Sequence, residues 1–147
     1  MALTVQQALQ KGIEAHKAGK VQEADQYYTA ILQAQPKHPD ANHNMGVLAV
    51  DVGKIEQALQ FFKTALEANP SIEQFWLSYI DALIKLEKFL DAKSLLDQAK
   101  NTGVKGDALD QIEKRLGSFE TKNPKPPDPP IDQYQSLVHL YTQGQYQ

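Results

Sequence analysis

Residues Pro39–Ile72, PDANHNMGVLAVDVGKIEQALQFFKTALEANPSI, decide the fold. The stretch reads as two amphipathic helices, near 39–52 and 55–68, joined by a tight turn at Asp51-Val-Gly-Lys54 and closed by Asn69-Pro70. Its neighbours repeat it at an interval of 34 residues. Gly19 recurs as Gly53, with Glu87 in the third copy; Ala24 recurs as Ala58 and Ala92, Val21 as Ile55 and Phe89, and Pro36 as Pro70. Tyr28, Phe62 and Leu96 hold one further apolar position. A fixed period in this range marks a stack of helical hairpins, each burying its apolar face on the next.

The second copy supplies Met45-Gly46, Ala49, Gly53, Ala58, Phe62, Ala65 and Pro70. The first supplies Gly12, Ala15, Gly19, Ala24, Tyr28 and Pro36, with Ala8 and Lys11 where bulkier groups are usual. The third has Trp76, Tyr79, Leu83, Ala92 and Ala99, but Ile80 follows Tyr79, and neither a turn Gly nor a closing Pro is present. Over about residues 5–106 this pattern resembles the tetratricopeptide repeat (TPR). The resemblance implies an all-α, right-handed superhelical stack of antiparallel helix pairs. The expected units are 5–38, 39–72 and 73–106, together filling residues 4–104 and the turn after them.

Within each unit the local signals agree. Thr4 with Gln7 fits a capping box, and Val5, Ala8, Leu9, Gly12, Ile13 and Ala15 follow at helical spacing. Gly19 ends that helix, and its partner is expected over Val21 to Ala34. Pro36 stops the pair, and Pro39 starts the next helix where a missing N–H costs nothing. Ser71, with Gln74 three residues on, is expected to cap the third unit's first helix.

After Asn101-Thr-Gly103 the 34-residue rhythm is expected to break. Residues 105–118 read as a capping helix, with Ala108, Leu109, Ile112 and Leu116 on one face. Residues 119–130, with five prolines between Asn123 and Pro130, read as an extended linker. Residues 131–147 read as the first helix of a fourth, truncated repeat, since Gly144-Gln-Tyr146 matches Gly19-Lys-Val21. A half-repeat cannot bury its own apolar face, so the chain reads as cut from a longer protein.

Composition narrows the function. A net charge of −3 and a pI near 5.8 argue against a nucleic-acid partner, which calls for a clustered basic face. No apolar run reaches the roughly 20 residues that span a bilayer, and the start Met-Ala-Leu-Thr-Val-Gln-Gln has no signal-peptide pattern. The reading is a cytoplasmic protein with no membrane insertion. The absence of cysteine removes disulfides, Cys-ligated zinc and thiol nucleophiles. His16, His38, His43 and His139 form no metal-site spacing. No catalytic constellation, cofactor motif or metal site is visible, and the chain does not read as an enzyme.

In the TPR family the first helix of each repeat lines the inner, concave wall. Its second, fifth, sixth, ninth, twelfth and thirteenth positions face inward. By that resemblance the wall takes Gln6, Leu9, Gln10, Ile13, His16 and Lys17 from the first unit. Asp40, His43, Asn44, Val47, Val50 and Asp51 come from the second, and Gln74, Leu77, Ser78, Asp81, Ile84 and Lys85 from the third. Leu9, Ile13, Val47, Val50, Leu77 and Ile84 are apolar yet fall outside the repeated core positions, as an exposed stripe with a polar rim would.

The family's clamp for chaperone tails needs Lys and Asn at the fifth and ninth positions of one repeat, with basic groups at the second and sixth of a later one. Leu9, Ile13, Gln74 and Ser78 stand there, and only Asn44 fits. A chain-terminal carboxylate is therefore not the expected ligand. Asn44 is similar to the inward Asn with which some TPR arrays grip peptide backbone, an amide both donating and accepting.

The function implied is a protein–protein interaction module that binds a peptide or helix in the groove. Two alternatives stand beside it. One is the N-terminal substrate-recognition arm of a larger bacterial enzyme, of the O-linked N-acetylglucosamine transferase or sulfotransferase kind. The other is a scaffold that self-associates through the exposed C-terminal helix, where Ile131, Tyr134, Leu137, Val138 and Tyr141 lack a partner.

Overall fold

A computed structural model describes residues 3–122 and, for side chains, residues 3–118. Among the described residues there are seven helices and no strand: α1 Val5–Lys17, α2 Val21–Ala34, α3 Pro39–Asp51, α4 Ile55–Ala68, α5 Glu73–Lys85, α6 Phe89–Thr102 and α7 Asp107–Lys122. The all-α helical repeat expected from the sequence is the fold observed.

The helix ends follow from the residues placed at them. Thr4 Oγ1 accepts the Gln7 N–H while Gln7 Oε1 accepts the Thr4 N–H, both at 3.0 Å, completing the expected capping box. Pro39 opens α3, preceded by His38, whose Nδ1 accepts the Ala41 N–H at 3.1 Å. His38 is thus a helix cap. Gly19 and Gly53 turn out of α1 and α3 at φ +77° and +83°, the left-handed region that a side chain disfavours. In the third unit Glu87 takes that role at φ +58°.

Ser71 does not cap α5. Its hydroxyl donates to Asn69 Oδ1 at 2.7 Å, the N-cap is Ile72, and no side chain caps the helix. The asparagine before Pro70 captures the serine in a local turn before it can reach α5. Gln74 in turn donates to Ser78 Oγ at 3.1 Å rather than back to the helix start.

Each pair closes by setting a small residue under the crossing. Ala24, Ala58 and Ala92 are fully buried. In the first two units a ring sits directly on a glycine: a Cβ on Gly12 would lie 2.5 Å from Tyr28, and one on Gly46 would lie 2.4 Å from Phe62. In the third unit the sizes are exchanged, with Ile80 and Leu96 both buried in those registers. One core cluster joins α1 and α2 to Ala41, Met45 and Leu48 of α3; another joins Ala49, Ala58 and Phe62 to Ala82 of α5. In these clusters burial runs from one unit to the next.

The 34-residue interval does not stop where the sequence reading ended it. Helices begin at Val5, Pro39, Glu73 and Asp107, because the link after α6 has the length of the links after α2 and α4. The side chains, rather than the spacing, set α7 apart. Asp110 and Lys114 are exposed where Trp76 and Ile80 are buried, while Leu109, Ile112 and Leu116 are buried. α7 also runs to Lys122, four residues into the stretch assigned to the linker. The remaining prolines from 124 onward, the helix expected over 131–147 and the self-association assigned to it lie outside the described residues.

Candidate functional site

The expected wall residues sit on α1, α3 and α5, and two side-chain bridges fasten those helices edge to edge. His16 Nε2 lies 2.6 Å from Asp51 Oδ2, tying α1 to α3. His43 Nε2 shares a 2.8 Å hydrogen bond with Ser78 Oγ, tying α3 to α5. Both join residues 35 apart, one more than the repeat, so each position meets the next position of the following unit. The His16–Asp51 contact is only partly shielded, with side chains 21% and 55% exposed, and such pairs contribute about 0–1 kcal/mol. Its consequence is alignment more than stability.

His43 is half-buried against two aromatic rings. Its ring stacks on Phe75 at 4.9 Å between centroids and tilts against Phe62 at 5.7 Å. Burial holds its pKa below the usual histidine range, against the opposing pull of a hydrogen bond with Asn44 and the charge of Asp40. At neutral pH the imidazole is uncharged.

The acidic groups of the wall are partly answered within the protein. Asp81 pairs with Lys85 at 3.1 Å and with Arg115 of α7 at 3.7 Å. Gln10 donates to Glu14 at 3.2 Å.

The apolar stripe divides on inspection. Leu9 and Ile84 are 6% and 7% exposed and belong to the core, correcting the expectation that they lie outside it. Ile13 is half-buried against the first cluster, and Val47 and Val50 against the second. Leu77, Asn44, His16, His43 and Asp81 are half-buried; Gln6, Asp40, Asp51 and Gln74 are exposed. The exposed and half-buried part of the expected wall is therefore part-apolar, through Ile13, Val47, Val50 and Leu77, with polar residues beside them.

Sequence reading missed Asn42, a polar side chain buried to 4% exposure among the described residues. Its Nδ2 donates to the carbonyls of Pro36 at 3.0 Å and His38 at 2.9 Å. The signal was present: Asn42 stands 34 residues before Trp76, at a position that carries a large buried side chain.

Among the described residues no group of three or more His, Cys, Asp or Glu side chains could hold a metal ion. No helix among them is long and apolar enough to cross a membrane.

Comparison with known proteins places the fold. The solved TPR2B domain of yeast Sti1, in complex with an Hsp70 peptide, superposes with a TM-score of 0.70 at 18% identity, covering 78% of this chain and 97% of that one. The first TPR of Spaghetti (RPAP3), bound to the HSP90 peptide SRMEEVD, gives 0.70 at 21%, covering 81% and 97%. A tetratricopeptide repeat protein from Parabacteroides merdae gives 0.72 at 22%, covering 80% and 46%. At these identities the likeness is one of fold. No curated protein sequence matches the chain. The tetratricopeptide repeat profile matches residues 15–73 and 49–113, together 99 of the 147 residues. The chain belongs to the tetratricopeptide repeat family.

Proposed function

We propose that the chain is a non-catalytic protein-interaction module whose inner wall, formed by α1, α3 and α5, receives an apolar peptide or helix. The observation that carries this reading is the pair of bridges, His16–Asp51 and His43–Ser78. They hold three helices side by side, so that half-buried Ile13, Val47, Val50 and Leu77 share one surface. A rigid wall loses little freedom when it binds, which favours affinity from a modest apolar area. The similar domains of Sti1 and Spaghetti bind chaperone peptides, but the ligand here differs. Leu9 is buried and Ile13 is aliphatic where the clamp for a terminal carboxylate needs Lys and Asn.

Selection from a random peptide library displayed on phage tests the proposal. Selected peptides are expected to be apolar without requiring a free C-terminus, and Val47→Asp or Asn44→Ala is expected to weaken them by at least about tenfold, about 1.4 kcal/mol. Gln57→Asp on α4 serves as the control, with helical content checked by circular dichroism. Peptides that bind all these variants equally would remove the wall from the argument.

A further inference from the structure

The bridge from α3 to α5 is a chain of three side chains. Gln74 Nε2 donates to Ser78 Oγ at 3.1 Å, and Ser78 Oγ lies 2.8 Å from His43 Nε2. With its oxygen accepting from Gln74, the Ser78 hydroxyl has its hydrogen to give, and His43 Nε2 accepts it only while that nitrogen carries no proton. The chain of hydrogen bonds is therefore complete in the neutral ring. Protonation sets a second donor against Ser78 Oγ, and the hydroxyl hydrogen has to find another acceptor. Phe62 of α4 and Phe75 of α5, the rings packed on His43, supply neither an acceptor nor a charge. Asp40, on the same helix, is the charged group that acts on the ring; it favours the protonated form, but burial opposes it and prevails. Water at the open edge of the half-buried ring is left to solvate the charge.

The same bridge lies beside the apolar part of the wall. His43 stands one turn before Val47 on α3, and Ser78 follows Leu77 on α5. An apolar chain that touches both Val47 and Leu77 crosses the bridge and removes its water. A neutral imidazole loses little by this, whereas an imidazolium loses the solvent that carries its charge. Granted the binding wall proposed above, we infer that His43 is its pH switch: the wall holds an apolar peptide while the ring is neutral and releases it when the ring is protonated. Binding then expels a proton wherever the open wall carries one. Affinity is full above about pH 6.5 and falls as pH drops through the folded pKa of the ring, which lies below that value. A peptide that lowers this pKa by about one pH unit holds the protonated protein about tenfold more weakly.

A peptide from the phage selection tests the switch on the whole 147-residue chain. It is synthesised with blocked ends and free of His, Asp and Glu, so that it does not titrate itself. The His43 ring resonances are followed by NMR from pH 7.5 to pH 5, without peptide and with peptide in excess. His16, held by Asp51 on the same wall, and His38, the cap of α3, give resonances of their own. The His43 ring is expected to stay neutral to a pH lower by at least about one unit when the peptide is bound. Affinity is expected to fall over the same range in the wild type, and to fall less in His43→Gln. A peptide that is sensitive to Val47→Asp but leaves the His43 titration unchanged, or raises it, would overturn the switch and leave the wall standing. A selection that yields no peptide sensitive to Val47→Asp would overturn the wall, and the switch with it.

Discussion

Asn42 and Trp76, 34 residues apart, make the same hydrogen bond with different chemistry. The Asn42 amide donates to the Pro36 carbonyl at 3.0 Å, and the Trp76 indole donates to the Pro70 carbonyl at 2.8 Å. Each proline follows the last turn of a second helix and cannot continue it, which leaves its carbonyl free to accept. A side chain from the next unit's first helix reaches back and takes it. The units are therefore joined by a polar latch as well as by apolar packing.

The latch has a measurable strength. Asn42→Ala removes donors to two carbonyls from a buried site and is expected to cost about 1–3 kcal/mol in urea unfolding. Trp76→Phe keeps most of the buried ring but loses the N–H, and is expected to cost about 1 kcal/mol. If Asn42→Ala unfolds at the wild-type midpoint, the latch is incidental to the packing.

The exchange of sizes between units predicts a compensating pair. Gly46→Ala drives a methyl into the Phe62 ring, itself 1% exposed and unable to move aside. Overpacking of about 1–3 kcal/mol outweighs the roughly 1 kcal/mol by which Ala favours a helix over Gly. Adding Phe62→Leu, on the pattern of Leu96 in the third unit, is expected to recover part of the loss. A double mutant no more stable than Gly46→Ala alone would show that the ring does not set the size at position 46.

Glu87 sits at φ +58° where the other two units have glycine. A side chain in that region costs roughly 1–2 kcal/mol, offset in part by the greater freedom glycine gains when unfolded. Glu87→Gly is expected to raise the unfolding free energy by about 1 kcal/mol or somewhat less. A lower thermal midpoint for this variant would mean that the Glu87 side chain contributes more than its backbone costs.

The period made much of this structure readable. Recurring Gly, Ala and Pro fix where helices stop and cross, and α2 runs from Val21 to Ala34 as the spacing predicts. What the period conceals are relations that do not repeat at 34. His16–Asp51 and His43–Ser78 join neighbouring positions of successive units, an offset of 35 that no comparison of equivalent positions displays. The burial of Leu9 and Ile84 is decided by what lies across a junction between units, and helical spacing marks only which face a residue occupies. The reading found α7 as a capping helix but missed its place in the 34-residue interval, for the opposite reason. Its backbone keeps the interval while Asp110 and Lys114 break the residue pattern that would have marked it.

His43 makes stability depend on pH, and the sign follows from its surroundings. Enclosed by Phe62 and Phe75 and bonded to Ser78, the ring is held neutral by burial, with a folded pKa below the unfolded value of about 6.5. Between those two values the unfolded chain binds the extra proton, so the contribution is complete above about pH 6.5 and is lost as pH falls toward the folded pKa. Other groups titrate in the same range, so the wild-type slope alone assigns nothing to this ring. His43→Gln keeps a polar group facing Ser78 but removes the titration. Urea unfolding at pH 7.5 and pH 5.5 is expected to show a smaller loss for this variant than for the wild type. Equal losses in the two proteins would place the pH dependence elsewhere and leave His43 a purely structural link between the second and third units.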